Sequence, residues 1–261
     1  MAVIEIRGMD ELLRGLNDLQ KQQLPGALAK TLTELAFVAK NKVGVEMQTV
    51  FDRPTPYTLN SMNVVKAHQL SLQSKVTLKD PMRRNPDQHY LNPQVEGGQR
   101  WFKKFEARLY KTGILPAGYF TVPSTAGAKI DDYGNMSKGQ IVQILSYFDT
   151  FPEAGFRSNM GGSGRSRLAR GTRNKLGYAY FSVQPNSRSR LHPGIYMRIN
   201  LHDGSGQGAA TMIRPVLLFV RTANYRKRLN IERIAEETYD RYFDMYFTGN
   251  LRHAVNTAMN R

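Results

Sequence analysis

Gly177-Tyr-Ala-Tyr-Phe-Ser-Val183, Gly194-Ile-Tyr-Met-Arg-Ile199 and Met212-Ile-Arg-Pro-Val-Leu-Leu-Phe-Val-Arg221 are three runs of apolar, aromatic and β-branched residues. The segments between them are rich in Gly, Ser, Asn and Asp, so the pattern predicts three strands joined by turns. Upstream, Met62, Val64, Leu70, Leu72, Val76 and Leu78 share one parity, and Asn63, Gln69, Ser71, Gln73, Lys75 and Lys79 share the other. That alternation predicts a strand or hairpin with one wet face. The three strands and the hairpin are expected to form one largely antiparallel sheet.

Helical periodicity brackets these strands. Val3-Ile4-Glu5-Ile6 reads as a short strand, after which Leu12, Leu13, Leu16 and Leu19 recur at helical spacing. A second helix is expected to begin at Pro25, which a first helical position accepts, and to carry Leu28, Leu32, Leu35, Ala39 and Val43 on one stripe. In the middle of the chain, Trp101 to Tyr110 shows helical spacing through Phe102, Phe105 and Leu109. Ser137-Lys-Gly-Gln140 has capping-box form ahead of Ile141, Ile144, Leu145 and Phe148. The longest element follows Asn230 as a cap, with Ile231, Ile234, Ala235, Thr238, Tyr242 and Met245 on one face and a break expected at Gly249-Asn250. N-terminal helices and a long C-terminal helix around an antiparallel sheet make an α+β layout, read as a single domain over residues 1–261.

Charge is distributed unevenly along this chain. The whole carries 37 Lys and Arg against 21 Asp and Glu, a net +16, yet 14 basic residues and one acidic residue, Asp203, lie between Arg157 and Leu229. A cluster of one sign repels itself and is best tolerated beside nucleic acid, an anionic membrane or carboxylates of another protein. Within it, residues 158–175 are rich in Gly, Ser and Arg and nearly devoid of large apolar side chains. They are expected to form a flexible arm that orders against a partner. Arg165, Arg167, Arg170, Arg173 and Lys175 are its candidate contacts, spaced to meet successive phosphates or the carboxylates of a neighbouring subunit.

Signatures of chemistry are sparse. With no Cys there is no disulfide framework, thiolate nucleophile or Cys-based zinc site. The five His residues include no pair at helical ligand spacing and no H-E-x-x-H. His202-Asp203 supplies two ligand types without neighbours, so a metal-dependent nuclease is the weakest reading and no cofactor is expected. Asp131-Asp132-Tyr133-Gly134-Asn135 lacks the alternating ligands and terminal Glu of a calcium loop and reads as a surface turn. Gly161-Gly-Ser-Gly-Arg165 and Gly204-Ser-Gly-Gln-Gly208 lack the Walker ending and read as linkers. The longest apolar run, Val216 to Val220, is far short of the roughly 20 residues that cross a bilayer. The opening lacks signal-peptide form, so neither a membrane nor secretion is expected.

The two ends of the chain carry a resemblance. Ile6-Arg-Gly-Met-Asp-Glu-Leu-Leu-Arg-Gly-Leu16, followed by Leu24-Pro-Gly-Ala-Leu-Ala-Lys-Thr-Leu-Thr-Glu-Leu-Ala-Phe-Val-Ala39, resembles the start of minor tail protein Z, the tail-completion family of lambda-like tailed bacteriophages. Arg221-Thr-Ala-Asn-Tyr225 and Leu229-Asn-Ile-Glu-Arg-Ile-Ala235, leading into a long helix, are similar to its ending. The resemblance implies a structural virion protein of the tail or neck, without catalytic residues, assembled in the host cytoplasm. It also implies a homo-oligomeric ring around the DNA channel, with portal, adaptor, tail terminator or tube proteins as partners. The basic arm would touch genomic DNA without sequence preference or clasp an acidic neighbour. A free nucleic-acid-binding module is the alternative.

Overall fold

The computed structural model describes residues 2–5, 18–79, 89–152, 158–172, 174–200 and 211–260, with side chains from Gln22 onward. In chain order the elements include β1 (Ala2–Glu5), α1 (Asp18–Val50), α2 (Pro56–Leu59), β2 (Met62–Val65), β3 (Gln73–Leu78), α3 (Asn92–Val95), α4 (Lys104–Lys111) and β4 (Phe120–Pro123). There follow α5 (Lys138–Tyr147), α6 (Gly162–Arg170), β5 (Gly171–Thr172), β6 (Lys175–Leu176), β7 (Tyr178–Val183), β8 (Gly194–Asn200), β9 (Thr211–Val220) and α7 (Ile231–Met259). The chain divides into two compact units, a terminal unit of Met1–Gly98 with Tyr225–Arg261 and an inserted unit of Gln99–Asn224. Each unit has its own buried cluster.

The terminal unit joins an antiparallel sheet of order β1-β3-β2 to the two longest helices. Along α1, Leu28, Leu32, Leu35, Ala39, Val43 and Met47 recur every three or four residues and are buried, as an amphipathic helix requires. The alternating hairpin forms with Met62 opposite Leu78 and Val64 opposite Val76, its apolar parity packed on the core. Leu70, of the same parity, sits fully exposed in the turn. α7 runs antiparallel to α1: Arg233 Nη2 lies 3.6 Å from Glu46 Oε1, Lys42 Nζ lies 4.7 Å from the Tyr242 ring centre, and Asn250 reaches back to Thr31 and Glu34.

Two helix boundaries differ from expectation. α1 is already helical at Asp18, where the described residues resume, and holds Pro25 in its interior, while the expected helix through Leu12, Leu13 and Leu16 lies outside the described residues. α7 passes through Gly249-Asn250 without a break. Asn250 is buried because its Nδ2 donates to Thr31 Oγ1 at 3.1 Å and to Glu34 Oε2 at 2.6 Å, so a residue that usually favours helix ends is satisfied in mid-helix. Asn230 caps α7 as expected, its Oδ1 accepting from Arg233 N at 3.2 Å.

The inserted unit is built on an antiparallel sheet of order β4-β9-β8-β7. Tyr180, Ile195, Leu217 and Phe219 share a core with Leu109 of α4 and with Ile144 and Leu145 of α5. A bulge between Pro215 and Leu217 falls where proline cannot donate to the ladder. Ser137 caps α5 through Oγ at 3.3 Å from Gln140 N, but only half of the expected box forms. Gln140 turns instead to Lys129 N at 2.6 Å and Gly127 O at 2.9 Å.

The α+β class, antiparallel pairing and long terminal helices agree with the sequence reading, while the strands fall into two principal sheets, one in each compact unit, in place of one sheet. Period-2 patterns fix which side chains share a face, not which strands pair. Met62 and Val76 pack with α1 residues, whereas β7 to β9 find separate cover from α4 and α5.

Candidate functional site

Where the sequence suggests a flexible arm over 158–175, the chain forms α6 and a two-strand hairpin of β5 and β6. Polar anchors replace the missing apolar ones. At the near end the Asn159 side chain exchanges two hydrogen bonds with the Phe151 backbone, at 3.0 and 2.8 Å. Met160 N donates to Ser146 O at 2.9 Å, and Ser146 Oγ donates to Ser158 O at 2.9 Å. At the far end Asn200 Nδ2 donates to Ala169 O at 2.8 Å. Gly177 approaches the same carbonyl so closely that a Cβ there would clash with the oxygen. Gly171, with φ of 74°, makes the left-handed turn out of α6. Gly161 and Gly162, expected to be linker, are the N-cap and first residue of α6.

The five candidate cations separate on this scaffold. Arg165 points inward, pairing with Asp149 and lying 5.4 Å from the Tyr147 ring centre, so its charge is already used. Arg167 and Arg170 stand one turn apart on the exposed side of α6 and have no partner among the described residues. Their place in the last turn also suits the negative end of the helix dipole. Lys175 is exposed on β6, opposite Thr172, and Arg173 lies outside the described residues. The result is a surface of exposed cations, unpaired among the described residues, suited to phosphates or carboxylates of a macromolecule.

A second polar centre was not legible in the sequence. Glu106, fully buried in α4, accepts from Arg100 Nη1 at 2.6 Å and Nη2 at 2.7 Å, from Lys103 N at 2.7 Å, and from Thr121 N and Oγ1 at 2.8 Å each. Burial pushes its carboxyl up, but the guanidinium and the converging amides outweigh that and hold it below the usual carboxylate range. Beside it a cleft of about 330 Å³ is lined by Gln99, Arg100, Trp101, Phe102 and Phe120. The guanidinium there is committed to Glu106, so this centre locks α4 to β4 and is not arranged for reaction. On the core face of the sheet, burial and then the Tyr178 ring beside it push the Tyr180 phenol up, and both hydroxyls donate to Gln143 Oε1 at 3.1 and 2.9 Å.

His202, Asp203 and Gly204 to Gly208 lie outside the described residues. Among the described residues no group of three or more His, Cys, Asp or Glu is placed to hold a metal ion, and no helix is long and apolar enough to cross a membrane. Comparison of the chain with family models, curated proteins and solved structures found no match.

Proposed function

We propose that this protein is a structural component of a tailed-bacteriophage virion, completing the tail or joining head to tail as a ring around the DNA channel. The observation that carries the reading is the exposed set Arg167, Arg170 and Lys175, fixed to the body by α6 and its hairpin within a strongly basic part of the chain. Such a surface binds another macromolecule electrostatically and has no arrangement for bond making. The resemblance of the two chain ends to the tail-completion family supports the same reading. Electron microscopy and native mass spectrometry of the purified protein test it, and closed annular oligomers are expected.

The partnerless state of those three cations also favours a second reading, a free nucleic-acid-binding module. A protein that stays monomeric yet binds duplex DNA steeply with falling salt would establish that reading instead. Replacing all three cations with Gln would then flatten the log–log salt slope by about 3, since each phosphate contact contributes about 0.9.

A further inference from the structure

Two faces of this chain repel themselves, and they carry opposite signs. On α7, Glu232, Glu236, Asp240 and Asp244 recur at every fourth residue, all exposed and without a partner among the described residues. Like charges at this spacing oppose helix formation, so the row costs the isolated helix stability. Arg233 does not neutralise it, because its guanidinium is taken by Glu237 at 2.8 Å and by Glu46 at 3.6 Å. Arg241 is exposed on the same helix and forms no ion pair with the row among the described residues. The resulting negative field reaches Tyr239, whose phenol is pushed up first by burial and then by Asp244 and Asp240. On the inserted unit, Arg167, Arg170 and Lys175 form the opposite surface, equally without compensation among the described residues.

We propose that these faces are the two halves of one contact between copies of this chain, the α6–β6 cations of one copy docking on the α7 carboxylate row of the next. Their lengths agree: at 1.5 Å per residue the row spans about 18 Å and α6 about 14 Å. Complementary surfaces that differ within one chain make a heterologous contact, which repeats from copy to copy and closes when its rotation allows. The contact rests on the ring-forming part of the proposed function and names the surfaces that build it. Its electrostatic character relieves two self-repelling faces at once.

Sedimentation velocity of the full chain tests the contact. Wild type should self-associate with increasing concentration, and less so at high salt. Arg167→Glu/Arg170→Glu and, separately, Glu236→Lys/Asp240→Lys should each weaken association by about tenfold or more, with unchanged circular dichroism because all four sites are exposed. Mixing the two variants, or combining the four changes in one chain, should restore concentration-dependent association. Reversed variants that associate like wild type would overturn the contact while leaving the ring reading standing. Loss without recovery on mixing would overturn it as well, and a wild type that stays monomeric throughout would overturn both.

Discussion

Glu106 is a charged side chain with no exposed surface, tolerable because both carboxylate oxygens are fully engaged by Arg100, Lys103 N and Thr121. Glu106→Gln turns an amide toward a guanidinium that has little solvent to fall back on. The loss expected in urea unfolding is about 3–5 kcal/mol, the range for breaking a buried pair. Stability should also depend on acid in a defined direction. The folded carboxyl titrates below its ordinary 4.5, so its contribution is complete above that value and drains away as pH falls through the lower folded value. Wild type should therefore lose stability on the acid side, and the Gln variant should lack that part of the slope. Arg100 and Glu106 are six positions apart across a helix start, and Thr121 is fifteen further on, so no periodic pattern brings them together before the chain folds.

Among the elements, α1 and α7 were legible because each buries a stripe that repeats with the helix period. Ile234 is buried on α7, whereas Arg241 is exposed. Ile234→Asp should cost several kcal/mol, about 3–5 by the scale for an unpaired buried charge, while Arg241→Ala should stay within about 0.5 kcal/mol. Equal losses in chemical denaturation would mean that the helix is turned the other way. Elements fixed by polar contacts were illegible for a physical reason. The 158–175 segment lacks apolar weight, and an argument from burial alone expects it to stay loose. Asn159, Ser146 and Asn200 hold it through side-chain hydrogen bonds to backbone groups that no composition reveals. The acidic row on α7 had a readable signal, four carboxylates at four-residue spacing, and gained meaning only once those positions proved exposed and unpaired among the described residues.

At the scale of the molecule, the terminal unit is assembled from both ends of the sequence, with the inserted unit between Gly98 and Tyr225. The points where the chain leaves and re-enters are neighbours. A Cβ on Gly97 would lie 3.6 Å from both Tyr225 O and Lys227 N, and Gln94 O accepts from Arg228 N at 2.8 Å and Leu229 N at 3.0 Å. Replacing residues 99–224 with a short Gly-Ser linker should leave a unit that unfolds cooperatively, with the slow-exchanging amides of α1 and α7 retained. Non-cooperative melting would show that the terminal unit depends on its insertion. The same discontinuity sets an order during translation. As the nascent chain emerges, α1 appears early with Leu28, Leu32 and Leu35 bare on one side, and its helical cover is made only after the whole inserted unit has been synthesised. The inserted unit, contiguous in sequence, can fold as it leaves the ribosome. Until α7 arrives, the apolar side of α1 is covered only in part, by the β2–β3 hairpin, so slow or interrupted translation of α7 leaves the rest of it open to chaperones and to other nascent chains.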